Sequence, residues 1–120
     1  MNTKVYFHVS LKINEGKMDA FQKIAEEMTA ITKMEPGALG YEWYRSAEGN
    51  RCRLVETYAD QAAVAAHLNG RAVREFVPQL LQVASMTGFE VYGDPGTEAG
   101  AFLTASGGEV FRQVGGIGRR

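Results

Sequence analysis

The order of hydrophobic patterns along the chain restricts its fold more than any other feature of the sequence. Residues 5–13 alternate strictly between apolar and polar side chains, which is the pattern of a half-buried strand. From Lys17 the apolar side chains recur three and four positions apart, which predicts an amphipathic helix. The turn Glu35-Pro36-Gly37 ends this helix, because proline cannot continue it. The chain therefore begins with a strand that is followed by a helix.

The later patterns complete a β-α-β-β-α-β order by residue 93. Asp60 is a suitable N-cap for a short helix, and Asn69-Gly70 is a suitable end for it. The four-residue turn before Arg51 predicts an antiparallel hairpin. The remaining predicted elements are strands at about 39–46, 51–58 and 86–92, a helix over 61–68, and a helical stretch at about 71–82 that Pro78 kinks or divides.

This order predicts an α+β protein of the ferredoxin-like, split βαβ type, with both helices on one face of a four-stranded antiparallel sheet. The other face then lacks cover, and its ring-rich positions favour a homodimer that packs sheet against sheet. We expect residues 1–93 to form this domain and residues 94–120 to form a Gly-rich extension that packs on the domain or on the partner subunit. The extension is expected to hold a helical turn at 101–103 and a short strand at 109–114, with disorder of residues 116–120 as the alternative.

Composition excludes several classes of protein. Thirteen Lys and Arg against fourteen Asp and Glu give a net charge of -1, which argues against a nucleic-acid partner. No apolar run is long enough for a membrane span, and the N-terminus does not resemble a signal peptide, so we expect a cytoplasmic protein without a membrane partner. Cys52 is the single cysteine and there are two histidines, so we expect neither a disulfide nor a metal site.

Four segments resemble the antibiotic biosynthesis monooxygenase family. They appear in the order and at the spacing of that family, and together they cover about residues 3–93. They are the strand at 5–13 with the helix that carries Phe21, the turn and strand entry Glu35-Pro36-Gly37-Ala38-Leu39-Gly40-Tyr41, the strand end Glu56-Thr57-Tyr58-Ala59-Asp60, and the helix Ala62-Ala63-Val64-Ala65-Ala66-His67-Leu68.

The resemblance implies a dimeric α+β barrel that oxidises phenols, quinols or anthrones with O₂ and without a metal or flavin. We therefore expect a cofactor-independent monooxygenase whose partners are itself, a small aromatic substrate and O₂. Two alternatives remain open: a cofactor-free isomerase of a small metabolite, which a polar pocket would favour, and a non-catalytic dimer that binds a small molecule. Fold alone does not decide among them.

The candidate catalytic residues are His67 and Glu56. A neutral imidazole can accept a phenolic proton near neutral pH, and His67 also matches the family's helical histidine. Its alternative role is to stabilise the end of the helix. Glu56 lies between apolar neighbours on its strand and can orient His67 or contact the substrate. Its alternative role is an ion pair with Arg53 or Arg45 across the hairpin.

The candidate substrate-binding residues are His8, Trp43, Tyr58 and Phe76. His8 lies on the polar side of the first strand, where catalytic relatives carry a polar group, although a cross-strand or dimer contact is equally compatible. Aromatic rings such as Trp43 and Tyr58 suit a flat substrate but are also common in cores and interfaces. Phe76 is placed either to cover the pocket or to pack in the core.

Overall fold

The strands predicted from alternation are all present in the computed structural model, which describes residues 2–119. Three predicted ranges agree with the observed bounds, namely the first strand, the third strand and the helix over 61–68. The elements are β1 (Val5–Ile13), α1 (Met18–Thr32), β2 (Ala38–Arg45), β3 (Arg51–Tyr58), α2 (Gln61–Leu68), a π-helical turn (Ala72–Phe76), α3 (Val77–Val83), β4 (Ala84–Tyr92), α4 (Thr97–Ala105) and β5 (Glu109–Phe111).

The sheet has the strand order β2-β3-β1-β4-β5. Its first four strands are antiparallel neighbours, which confirms the predicted ferredoxin-like arrangement. The sheet has five strands rather than the expected four, because β5 pairs with β4 in parallel. Two parallel neighbours need a crossover connection, and α4 provides it. The sheet is therefore mixed rather than wholly antiparallel.

The caps of α2 agree with the sequence pattern. The Asp60 side chain accepts a hydrogen bond from the Ala63 backbone N–H at 2.9 Å, and Asn69 occupies the C-cap. Such a cap contributes about 1 kcal/mol to the helix. α2 therefore begins and ends at fixed residues, which also fixes the direction of the side chains on its last turn.

The second helical stretch is divided in two near Pro78, as its sequence predicts. Residues Ala72–Phe76 form a π-helical turn, and α3 then begins at Val77 with Pro78 in its first turn. Proline is tolerated there because the first helical N–H groups have no partner within the helix. The widened turn directs Val73 and Val77 towards the sheet, where both line the cavity described below.

The hydrophobic core lies between the sheet and its helices and consists of two clusters. The larger cluster joins α1 and α3 to one end of the central strands, and the smaller one joins α2 and α4 to the opposite end. The larger cluster contains Leu11, Ile13, Phe21, Met28, Cys52, Phe76, Leu80, Val83 and Ala84, and the smaller contains Val5, Phe7, Tyr58, Val64, Val91 and Leu103.

The opposite face of the sheet, which was expected to be an apolar dimer surface, carries several exposed polar side chains. His8 and Lys12 on β1, Arg53 on β3 and Glu90 on β4 are exposed there, beside the half-buried ring of Tyr92. The ring-rich positions of β2 expected on this face are divided between the two faces. Trp43 packs against Phe21 of α1 on the helix side, and strict alternation along the strand sends Tyr44 to the other side.

The Gly-rich extension packs on its own domain over part of its length. Leu103 of α4 is 1% exposed and belongs to the smaller core cluster, and β5 extends the sheet. The expected helical turn at 101–103 is a nine-residue helix, and the expected strand at 109–114 ends at Phe111. Arg120, the end of the segment considered for disorder, lies outside the described residues. Within residues 2–119, no helix has the length and apolar character needed to cross a membrane.

Candidate active site

A cavity of about 340 Å³ lies between the sheet and the helices and is mostly apolar. The sheet, mainly β1, β3 and β4, forms its floor, while α2, α3 and α4 provide most of its walls. Its polar groups are concentrated where β3 passes α2. Its lining residues are Phe7, Val9, Leu11, Met28, Tyr41, Leu54, Glu56, His67, Leu68, Val73, Val77, Leu80, Leu81, Met86, Phe89, Phe102, Leu103 and Ser106.

Glu56 is the buried carboxyl group at the polar end of this cavity. It lies on the helix-facing side of β3 and is 4% exposed. The hydroxyl of Tyr58, two residues further along the strand, donates a hydrogen bond to Glu56 Oε1. Burial disfavours the charged form and raises the pKa of Glu56 from 4.5 to about 8. Glu56 is therefore a carboxylic acid at pH 7.

His67 faces Glu56 from the last turn of α2. Its Nε2 lies 3.5 Å from Glu56 Oε1, and its ring packs against the ring of Tyr58 with centroids 5.0 Å apart. His67 is 2% exposed, and burial lowers its pKa below the usual 6.5. The imidazole is therefore neutral at pH 7, and one proton donor and one proton acceptor lie side by side in the cavity wall.

Glu35 completes the group, and sequence reasoning missed it. This residue follows the end of α1, and its Oε1 lies 2.9 Å from His67 Nδ1. In the sequence Glu35 belongs to the Glu-Pro-Gly turn, and its presence was explained by the turn without assigning its side chain a role in the site. The available signal was an acidic residue in a turn that also contains a glycine. Gly37 allows this turn to pack closely against α2, because a Cβ on Gly37 would overlap the Cβ of Ala63.

Tyr41 of β2 is a further polar group on the cavity wall. Its ring centroid lies 5.7 Å from that of His67. Burial, and then the nearby Glu56 carboxyl, raise the pKa of the Tyr41 hydroxyl far above its ordinary value. Tyr41 is therefore a neutral phenol that can donate a hydrogen bond to a bound molecule.

The structure brings together only some of the predicted site residues. Glu56 and His67 line the cavity, and Tyr58 lies directly behind them as a hydrogen-bond donor to Glu56 rather than as a wall. Phe76 is buried in the larger core cluster and is not among the cavity residues. Of the two roles considered for Phe76, a pocket contact and core packing, the structure shows core packing, while Val73 of the π-helical turn lines the cavity.

His8 and Trp43 lie away from the cavity. His8 is on the opposite face of the sheet, in an open hollow with Arg53 and Glu90. Trp43 borders a groove between α1 and the edge strand β2, where its indole N–H donates to Thr29 Oγ1 at 2.9 Å. The substrate-binding role expected for these two side chains therefore does not apply to this cavity. Their contacts match the alternatives, a cross-strand contact of His8 with Tyr92 and core packing of Trp43.

The alternative roles considered for Glu56 and His67 do not match their contacts. Glu56 interacts with Tyr58 and His67, whereas Arg45 donates to Met18 Sδ and Arg53 to the Cys52 carbonyl. The His67 ring bonds with Glu35 rather than with the carbonyl groups at the end of α2. Both residues therefore use their polar atoms inside the site.

No group of three or more His, Cys, Asp or Glu side chains within residues 2–119 is arranged to hold a metal ion. The chemistry that the described side chains themselves offer is proton transfer. An acid and a base that differ in protonation at neutral pH lie in an apolar cavity, and such pairs commonly perform acid–base catalysis. The cavity has the size of a small-molecule site.

Comparison with known proteins adds two findings. Residues 5–79 match the antibiotic biosynthesis monooxygenase family. A search of curated protein sequences returns no match. The family match covers β1 to the beginning of α3, which includes Glu35, Glu56 and His67 but not the extension with α4.

Several solved structures have a similar fold. MupZ from Pseudomonas fluorescens is 22% identical, with a TM-score of 0.83 over 98% of this chain and 96% of that chain. SnoaB from Streptomyces nogalater, a cofactor-independent oxygenase, is 14% identical, with a TM-score of 0.68 over 79% of this chain and 96% of its own. Rv0793 from Mycobacterium tuberculosis is 19% identical, with a TM-score of 0.68 over 78% and 97% of the two chains. At these identities the similarity concerns the fold.

Proposed function

Because this chain belongs to the antibiotic biosynthesis monooxygenase family, we propose that it is a cofactor-independent monooxygenase that oxidises an aromatic phenol, quinol or anthrone with O₂. The observation that supports this most strongly is the apolar cavity with Glu56 and His67 at its polar end. SnoaB, which shares the fold, is itself a cofactor-independent oxygenase.

In the proposed reaction, the neutral His67 accepts the proton of the substrate hydroxyl on Nε2. The resulting imidazolium lies between two carboxyl groups, because Glu35 is 2.9 Å from Nδ1 and Glu56 is 3.5 Å from Nε2. The negative charge of Glu35 at this distance stabilises the protonated ring. Glu56 is uncharged at this stage and keeps its proton for the next step. The deprotonated substrate is electron-rich and transfers one electron to O₂.

The remaining steps balance without a further redox partner. The substrate radical and superoxide combine to form a carbon–oxygen bond and a peroxide anion. Glu56, which is protonated at neutral pH, donates a proton to that anion and then regains one from His67. Loss of the ring C–H proton and cleavage of the O–O bond release water and leave a quinone carbonyl. One oxygen atom of O₂ enters the product, and the other leaves as water.

The apolar walls would keep water from the anion and the peroxide, which favours electron transfer over side reactions. Phe7 and Phe89 on the sheet provide aromatic surface, and their ring centroids lie 5.8 Å apart. From α4, Phe102 and Leu103 close the side of the cavity that faces the extension. A flat aromatic ring with one hydroxyl at the Glu56 end would fit this distribution of polar and apolar groups.

The cofactor-free isomerase remains the alternative enzyme. An acid and a base in one cavity would suit it, but a small polar metabolite needs polar walls, and this cavity is lined mainly by aliphatic and aromatic side chains. The non-catalytic binding dimer would use the same walls but would not need the proton pair.

The proposal includes a homodimer formed through the face of the sheet opposite the helices. The half-buried rings of Tyr6 and Tyr92 lie there among exposed polar groups. An interface with apolar rings inside a polar rim is common for protein partners. The cavity lies on the other side of the sheet and would stay open to substrate in such a dimer.

The decisive experiment measures O₂ consumption by the wild-type protein and by His67→Ala with a panel of hydroquinones and anthrones, in the presence of EDTA. We expect protein-dependent uptake that persists in EDTA and falls at least about tenfold in the variant, since general base catalysis contributes factors of this size or larger. Product analysis should find one oxygen atom from ¹⁸O₂ in the quinone.

Each other outcome changes the proposal. Uptake that His67→Ala leaves unchanged would remove His67 as the base and keep the reaction. A wild-type protein that consumes no O₂ with any member of the panel would refute the monooxygenase. The isomerase would then be tested by incorporation of deuterium from D₂O into a candidate metabolite.

A further inference from the structure

The tautomer of His67 decides which of its nitrogens can accept a proton. A neutral imidazole carries one N–H group and one lone pair, and the partner of one nitrogen sets the state of the other. In this site Nδ1 faces Glu35 Oε1 at 2.9 Å, whereas Nε2 faces the cavity side and Glu56 Oε1 at 3.5 Å. A carboxylate accepts hydrogen bonds, so Glu35 favours a proton on Nδ1.

Glu35 is held in place by the packing of its turn against α2. The Gly37 carbonyl accepts a hydrogen bond from the Ala59 backbone N–H at 2.9 Å, immediately before α2 begins. At the other end of α2, a Cβ on Gly70 would approach Glu35 Oε2 to 3.1 Å, so glycine there leaves room for the carboxylate. Both ends of α2 therefore contact the turn that carries Glu35.

The other groups that face His67 do not set its tautomer in the same way. The rings of Tyr41 and Tyr58 pack against the imidazole with centroids 5.7 and 5.0 Å away. Glu56 is protonated at neutral pH and lies at a longer distance than Glu35. Glu35, from the turn after α1, is the group at hydrogen-bond distance from the ring.

We propose that Glu35 is a positioning residue that holds the proton of neutral His67 on Nδ1 and leaves Nε2 as the proton acceptor of the cavity. Its part in turnover rests on the proposed function, but its effect on the tautomer does not. Removal of Glu35 allows the other tautomer, in which Nε2 carries the proton and can no longer act as the base.

The test is ¹⁵N NMR of histidine-labelled protein at pH 7. The chain has only two histidines, so a His8→Gln variant assigns the signals of His67. In the wild type we expect one protonated nitrogen, Nδ1, and one unprotonated nitrogen, Nε2. In Glu35→Leu we expect a second state with the proton on Nε2. In Glu35→Gln we expect both states as well, since an amide can donate or accept.

A matched control replaces Glu15, an exposed acidic residue in the turn before α1, with leucine. Glu15→Leu should leave the His67 signals unchanged. If Glu35→Leu and Glu35→Gln both fold and both keep the proton on Nδ1 alone, the positioning role is wrong. Thermal unfolding of each variant establishes that it is folded.

The kinetic part of the test separates this inference from the proposed function. With a substrate from the O₂ panel, Glu35→Leu should lower kcat at least about tenfold with little change in KM, because the ring and the cavity walls remain. An unchanged kcat would overturn the role in turnover. A shift of the tautomer in a protein that consumes no O₂ would support the positioning role and refute the monooxygenase.

Discussion

Two clusters of the same composition lie on opposite faces of the sheet. The inner cluster consists of Glu56, Tyr58 and His67, and the outer cluster consists of Glu90, Tyr92 and His8. In each, a tyrosine hydroxyl donates a hydrogen bond to the glutamate two residues earlier on the same strand. In each, a histidine ring packs against the tyrosine, with centroids 5.0 Å apart in the inner cluster and 4.8 Å in the outer one.

Burial distinguishes the two clusters. Tyr58 on β3 and His67 on α2 are almost completely buried, whereas His8 and Glu90 are exposed. Desolvation is the first cause of the raised pKa of Glu56 and of the lowered pKa of His67. In the outer cluster the pKa of Tyr92 is raised chiefly by its hydrogen bond to Glu90.

The comparison shows that burial, rather than residue type, distinguishes the proposed acid and base from their counterparts on the outer face. The two clusters have the same side chains, similar spacing and similar contacts. Only the inner one lies next to an apolar cavity between the sheet and the helices, where burial disfavours the charged forms of both the acid and the base. Substitutions at matched positions can therefore separate burial from chemistry.

The largest difference is expected for turnover. Glu56→Gln keeps an acceptor for the Tyr58 hydroxyl but removes the titrating proton, so kcat for O₂ consumption should fall about 100-fold, the low end for loss of a general acid or base. Glu90→Gln makes the same change in the outer cluster and should leave kcat within about twofold of the wild type.

Because the outer cluster lies on the face proposed for the dimer, both variants are assayed at several protein concentrations. An effect of Glu90→Gln that disappears at high concentration reports on association rather than on chemistry. Equal losses of kcat in the two variants at every concentration would contradict the distinction between the clusters.

The second difference is the pH dependence of stability. An acid whose folded pKa is raised from 4.5 to about 8 binds its proton more tightly in the folded protein. Its contribution to stability is therefore complete below pH 4.5, declines as the pH rises above that value, and is lost as the pH passes through 8. Between pH 6.5 and 8 this lowers the free energy of unfolding by at most about 2 kcal/mol, because the slope is 1.36 kcal/mol for each unit of pH and flattens near pH 8.

The window excludes the contribution of His67. Its folded pKa is below the unfolded value of 6.5, so its contribution to stability is complete above pH 6.5 and is lost only as the pH falls through the folded pKa. Urea unfolding at pH 6.5, 7.25 and 8 should show the decline in the wild type and in Glu90→Gln but not in Glu56→Gln. The same slope in all three proteins would show that Glu56 is not its source.

The strand pattern and the capping residues were sufficient to predict most of the fold. Alternation over nine residues defines β1, and Asp60 and Asn69 define α2, because these signals depend on neighbours in the sequence. The strand β5 was predicted to begin at Glu109, but its pairing with β4 was not predicted, since this parallel pairing depends on where α4 packs. The mixed outer face was also missed, because alternation divides the rings of β2 between two faces without showing which face the helices cover.

The candidate site was predictable only in its centre. Glu56 and His67 have sequence signals, namely a carboxyl among apolar strand positions and a histidine on a short helix. Glu35 could not be separated from the turn that contains it, and the hydroxyl donor role of Tyr58 requires knowledge of its rotamer. His8 was assigned to the pocket because alternation shows that two faces exist but does not show which one the helices cover.

The smallest difference is expected for the two tyrosine hydroxyls. Tyr58→Phe removes a hydrogen bond to a fully buried carboxyl group and should lower the free energy of unfolding by about 1 kcal/mol at pH 6.5. Tyr92→Phe removes the matching bond at the surface, where water replaces it, and should change stability by less than about 0.5 kcal/mol.

The Tyr58 bond also opposes the rise in the pKa of Glu56, so its loss should move the pH-dependent decline in stability to higher pH. Urea unfolding at two protein concentrations measures both effects and separates folding from association. A decline that stays at the wild-type pH in Tyr58→Phe would mean that the hydroxyl supports the packing of the inner cluster without tuning its carboxyl group.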